Sequence, residues 1–128
     1  MTITIEDFKK IEIVVGKILS AEKIPDTDKL LKLSVDLGPS FAKASEDEGR
    51  NDIRQIISGI AQYFPDCSVL VGKKCMFVAN LEPKVIRGFK SNGMILAVST
   101  EDCPNENGQS KFSLLLPDDT IPVGAKAR

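Results

Sequence analysis

The sequence predicts an all-β fold: a small five-stranded barrel with short helices and a C-terminal β extension. Two observations predict it. Short stretches of alternating apolar and polar residues recur along the 128-residue chain, bounded by Gly, Pro, Asp or Asn. Their order is three strands, one short helix, then two strands, and every strand is short or interrupted by a bend.

Each element has its own signal. Thr4 precedes Glu6 and Asp7, with Lys9 and Lys10 following, so a helical turn capped by Thr4 opens the chain, Asp7 completing a capping-box pattern. A first strand runs over 11–24, where Ile11, Ile13 and Val15 alternate with Glu12 and Val14, and Gly16 marks a bend or bulge. Pro25-Asp26-Thr27-Asp28 is turn chemistry. The second strand, 30–37, places Leu31, Leu33, Val35 and Leu37 against Lys32, Ser34 and Asp36.

Gly38-Pro39 ends that strand and opens a polar insertion over 39–52, with a helical turn at 45–49 and mixed charges from Lys43 onward. Ile53, Gln55 and Ile57 form the third strand, and 58–65 a short helix stopped by Pro65. Strands at 74–79 and 94–100 flank a long loop, and 111–116 adds a sixth strand. There is no internal repeat. This order is that of the five-stranded Greek-key OB barrel, whose helix bridges strands three and four. The chain is one domain over 1–128, with a barrel core at 5–100 and a C-terminal extension at 101–128.

Composition narrows the function. No apolar run approaches the roughly 20 residues that span a bilayer. The N-terminus lacks the basic start of a signal peptide, so a cytoplasmic protein without membrane association is expected. Histidine is absent, which removes imidazole catalysis and Cys/His zinc sites. No phosphate-cradling loop or nucleophile motif is present, and no cofactor is implied. The three cysteines, Cys67, Cys75 and Cys103, lack CxxC spacing and read as reduced thiols, Cys75 as a small core residue.

The net charge of −1 conceals an uneven distribution. Residues 73–90 hold five cations against Glu82, whereas 101–119 hold five acids against Lys111. With a Debye length of about 8 Å in physiological salt, such a patch outweighs the total. The loop 80–93 supplies Lys84, Arg87 and Lys90, with Gly88 and Gly93. Cations neutralise phosphates, and glycines let main-chain amides approach them. OB barrels bind oligonucleotides on the strand 2–3 face and through the 1–2 and 4–5 loops. Here both loops carry cations, since the 1–2 loop ends at Lys29 with Lys32 beyond.

Several segments resemble one family. They are Asp7-Phe8-Lys9-Lys10-Ile11-Glu12-Ile13, Val15-Gly16-Lys17-Ile18, Asp28-Lys29-Leu30-Leu31-Lys32-Leu33, Val35-Asp36-Leu37-Gly38 and Ile57-Ser58-Gly59-Ile60. Val71-Gly72-Lys73, Ala79-Asn80-Leu81-Glu82-Pro83-Lys84, Arg87-Gly88 and Ser91-Asn92-Gly93-Met94 complete the set. Together they resemble the tRNA-binding domain found at the C-terminus of bacterial methionyl-tRNA synthetases, in stand-alone structure-specific tRNA-binding proteins and in synthetase cofactors. The resemblance covers about Phe8 to Ala125 and departs from the pattern at 39–52.

It implies a homodimer that binds tRNA by shape, at the outer corner of the L, with a methionyl-tRNA synthetase as a further partner. It assigns Asn80, Lys84, Arg87, Lys90, Ser91 and Met94 to the tRNA surface, with Lys29, Lys32 and Arg54 as additions. In that assignment Arg and Lys meet phosphates, Asn80 and Ser91 offer neutral hydrogen bonds, and Met94 packs under the loop. Structural alternatives stand beside it: Asn80 as a turn cap, Met94 as core, Lys73 and Lys74 as solvated residues. The scarcity of aromatics, with no Trp and one Tyr, fits backbone recognition over base stacking. The nearness of Met1 to the family opening favours a separate polypeptide, although an excised domain given a starting Met would look identical. Related barrels are described as polypeptide-binding export chaperones, which is the alternative reading.

Overall fold

A computed structural model describes residues 1–39, 51–100 and 111–128. The alternating stretches become β1 (Ile13–Lys23), β2 (Leu31–Pro39), β3 (Asn51–Ser58) and β4 (Lys74–Val78). With β7 (Met94–Ile95) they form one antiparallel sheet in the order β3-β2-β1-β4-β7. The sheet curls until its edges meet. The amide of Asn92 donates to the Gln55 carbonyl at 2.9 Å, and that of Ile57 to the Ser91 hydroxyl at 3.0 Å. The fold is the expected small OB-like barrel.

Alternation decides which side chains enter it. Leu31, Leu33, Val35 and Leu37 of β2 all point inward, against Ile18, Ile56, Cys75 and Phe77. Phe77 is fully buried, and its removal would cost about 3–5 kcal/mol through lost burial and the cavity left behind. Burial pushes the Cys75 thiol up to about 11, so it remains protonated, as a core residue should.

Thr4 caps α1 (Ile5–Lys9), its hydroxyl accepting from the Asp7 amide at 3.2 Å. Other expectations are corrected. The bulge in β1 falls at Leu19, between Ile18 and Ser20, and not at Gly16. Gly16 is required for packing instead, because a Cβ there would lie 2.7–2.8 Å from Phe77, Leu37 and Val35. The helix over 58–65 is only a 3-10 turn, Ala61–Tyr63, followed by a second at Cys67–Leu70. Pro65 blocks continuation. Asp66 caps the second turn, and its hydrogen bonds from Ser68 hold its carboxyl below the usual range.

The fifth strand divides at Leu96, which hands the chain to a second sheet. The Leu96 amide donates to Met76, while its carbonyl accepts from Leu115. β8 (Ala97–Ser99) then pairs with β9 (Phe112–Leu114). Phe112 stacks on Tyr63 with ring centroids 4.0 Å apart, fastening this pair to the first 3-10 turn. The chain end returns beside β1: Val15 donates to Ala125, Gly124 to Val15 and Ala127 to Ile13. Lys74, read as solvated, donates to the carbonyls of Asp119 and Ile121 at 3.0 and 2.9 Å.

The body of the 39–52 insertion lies outside the described residues, as do its 45–49 turn, Cys103, Glu101, Asp102 and Glu106.

Candidate nucleic-acid interface

The stretch read as an open loop contains a β-hairpin. β5 (Lys84–Ile86) and β6 (Phe89–Ser91) pair as Lys84 with Ser91, Val85 with Lys90 and Ile86 with Phe89. The two-residue turn is Arg87-Gly88, with φ of 53° and 83°. Two positive φ values are those of a type I′ turn, whose twist matches that of paired strands. Gly88 takes this conformation freely, whereas Arg87 holds it as an uncommon non-glycine case. An X-Gly pair between Val85-Ile86 and Phe89 was the available signal, weaker than Asn-Gly.

The register splits the hairpin into two faces. Val85 and Lys90 share one, while Lys84, Ile86, Phe89 and Ser91 share the other. The second face leans on the barrel. The Lys32 ammonium lies 5.2 Å from the centroid of the Phe89 ring, and Gln55 donates from Nε2 to the Lys90 carbonyl at 2.9 Å. Ile57, on the outward side of β3 beside Lys32, is consequently only 6% exposed.

The assigned residues fall into two groups. Lys84, Arg87 and Lys90 are exposed on the hairpin, and none has an ion-pair partner among the described residues. Lys29 is exposed on the β1–β2 loop, where its carbonyl accepts from the Ala61 amide. The other five are placed differently from these exposed, unpaired cations. Ser91 is 5% exposed, and its hydroxyl accepts from Ile57 and donates to the Gly93 carbonyl, so it holds the hairpin base. Asn80 accepts from the Glu12 amide at 2.9 Å and donates to the Lys10 carbonyl, which binds the N-terminal segment.

Arg54 is paired with Asp52 at 2.9 Å and Lys32 with Glu22 at 3.3 Å. Met94 does not pack under the loop: it stands 46% exposed on β7. The short β7 pairs only with β4, which leaves that side chain uncovered. Sequence reasoning missed Gln55 as a hairpin anchor, because nothing local marks a partner 35 residues away.

The outer surface of the sheet is electrically mixed by comparison. Lys17 sits in register with Asp36, and Glu22 with Lys32. Lys84, Arg87 and Lys90 thus gather three unpaired cations on one short hairpin, where they can meet an anionic chain. No described aromatic ring is in the exposed class, so no stacking platform accompanies it among the described residues.

This is a small OB-like barrel bearing a cationic hairpin, and comparison with known proteins makes the class specific. Residues 13–126 match the family described as "Putative tRNA binding domain". The chain is 43% identical over 126 residues to the methionine–tRNA ligase of Methanospirillum hungatei, covering 98% of this chain and 16% of that protein. It is 42% identical over 126 residues to that of Clostridium tetani, covering 98% and 17%. The chain thus spans only a small part of these relatives.

Among solved structures it resembles the MetRS related protein from Pyrococcus horikoshii, with a TM-score of 0.77 and 35% identity over 100% of this chain and 99% of that one. It also resembles the CsaA chaperone protein from Picrophilus torridus, with a TM-score of 0.72 and 26% identity over 99% and 100%. The chain belongs to the tRNA-binding domain family.

Proposed function

We propose that this chain is a non-catalytic, cytoplasmic tRNA-binding protein whose β5–β6 hairpin meets the sugar-phosphate backbone. One observation carries the reading: Lys84, Arg87 and Lys90 stand exposed on a hairpin fixed to the barrel, with no acid paired to them among the described residues. Such cations contact phosphates, which position an RNA without reading its bases. Recognition is accordingly by shape. Its service to aminoacylation is to add a second, weak tRNA contact beside a methionine–tRNA ligase, which raises tRNA capture through effective concentration.

The protein acts as a homodimer in this reading. Exposed Ile5 and Ile11 line a groove of about 340 Å³ between α1 and the chain end, with Phe8, Ile13 and Ala127 and with charged residues from both segments at its rim. A second copy would cover that apolar surface. Light scattering at micromolar concentration checks it, and a clean monomer would contradict it.

The second reading, a polypeptide-binding chaperone, is favoured by the likeness to the CsaA structure and by the exposure of Leu81 just before the hairpin and Val85 on it. Titration of bulk tRNA and of an unfolded polypeptide separates the two. The tRNA reading expects salt-weakened tRNA binding that Arg87→Ala reduces roughly five- to tenfold for all tRNAs alike. Tight polypeptide binding without tRNA affinity would support the chaperone.

A further inference from the structure

Arg54 joins the two ends of the hairpin excursion. It lies on β3 opposite Val35, with its side chain 28% exposed. One terminal nitrogen donates to the carbonyl of Ala79, immediately before the excursion at 80–91, and to that of Asn92, immediately after it at 3.3 Å. The opposite edge of the guanidinium holds Asp52. Nε donates to both carboxylate oxygens at 3.2 and 3.1 Å, and the second terminal nitrogen donates to Oδ2 at 2.9 Å. A planar fork can make these bonds at once, aligned by the carboxylate on one edge and gripping two chain segments on the other. An ammonium, as a compact point donor, cannot reproduce that alignment.

We propose that Arg54 is a positioning residue for tRNA binding: it closes the neck of the hairpin and makes no phosphate contact itself. This rests on the reading of the hairpin as the tRNA-binding element. The guanidinium charge is already answered by Asp52, so Arg54 adds little to the field that an RNA meets. Its effect is geometric. With the neck closed, Lys84 and Lys90, on opposite faces of the hairpin, and Arg87 at its turn are held in fixed positions before RNA arrives, and less ordering remains to oppose binding. Ser91, Gln55 and Asn80 hold individual points of the same excursion, whereas Arg54 ties its two ends to each other.

The test uses Arg54→Lys, with Asp52→Asn as a second variant that leaves the arginine in place but frees its carboxylate-held edge. Each is titrated with bulk tRNA across a salt series, and amide hydrogen exchange is followed in the free protein. Binding is expected to weaken roughly 3- to 10-fold in Arg54→Lys and less in Asp52→Asn, with the wild-type slope of log K against log salt retained. Exchange should quicken at 80–93 while the β1–β2 ladder keeps its protection. Arg54→Gln, which removes the charge, completes the salt series: a slope shallower by about one in that variant would identify a direct phosphate contact and overturn the proposal.

Wild-type affinity and exchange in Arg54→Lys and Asp52→Asn alike, or exchange quickened evenly over the barrel, would overturn it equally. Arg87→Ala, run alongside, separates two failures. If it binds tRNA like wild type, the hairpin reading falls and takes this role with it. If it weakens binding while Arg54→Lys does not, only the clamp falls.

Discussion

Along β1–β3, two cations are paired with acids: Lys32 at 3.3 Å from Glu22 and Arg54 at 2.9 Å from Asp52. On the β5–β6 hairpin, Lys84, Arg87 and Lys90 have no such neighbours among the described residues. The same residue types thus do different work in neighbouring parts of one molecule. In the sheet they hold strands and anchor the hairpin; on the hairpin they remain available to phosphate. An exposed ion pair is worth at most about 1 kcal/mol, so the sheet cations are not locked. Recruiting Lys32 to RNA would nonetheless forfeit both Glu22 and its position over Phe89.

The largest expected effect removes the hairpin charges together. Lys84→Ala, Arg87→Ala and Lys90→Ala combined should lower the slope of log K against log salt by about three and weaken tRNA binding on the order of 100-fold at low salt. A slope unchanged in fluorescence titrations would erase the distinction between the two regions. Next comes a change of geometry at constant charge. Gly88→Val places a β-branched residue at a positive φ and should cost roughly 1–2 kcal/mol in the turn. Several-fold weaker binding with an unaltered slope is expected, together with faster proteolysis at the hairpin. The smallest effect belongs to Lys32→Gln, which should stay within about threefold of wild type. A loss above tenfold with a shallower slope would place RNA on the sheet.

The strands were legible because burial imposes a period of two: Leu31 to Leu37 announces its inward face without help from other segments. The hairpin was not, since strands of three residues are too short to show alternation and Arg87-Gly88 is a weak turn signal. The barren outcome at 58–65 has a similar cause, because a few residues before Pro65 cannot sustain more than a 3-10 turn. Lys84, Arg87 and Lys90 were identifiable as cations near one another in sequence. That Arg54, Ser91 and Asn80 bond across the fold was not, because those partners lie 25 to 70 residues away, whereas the Arg54–Asp52 ion pair is local. Sequence shows which side chains are charged, and only the folded chain shows which of those charges are already answered.

The most direct measurement is an amide NMR titration of the labelled protein with bulk tRNA. The largest shifts and line broadening are expected at residues 84–91, with Lys17, Ser20 and Ser34 on the outer sheet nearly unmoved. Perturbation centred on those sheet residues, with the hairpin amides undisturbed, would contradict the hairpin reading.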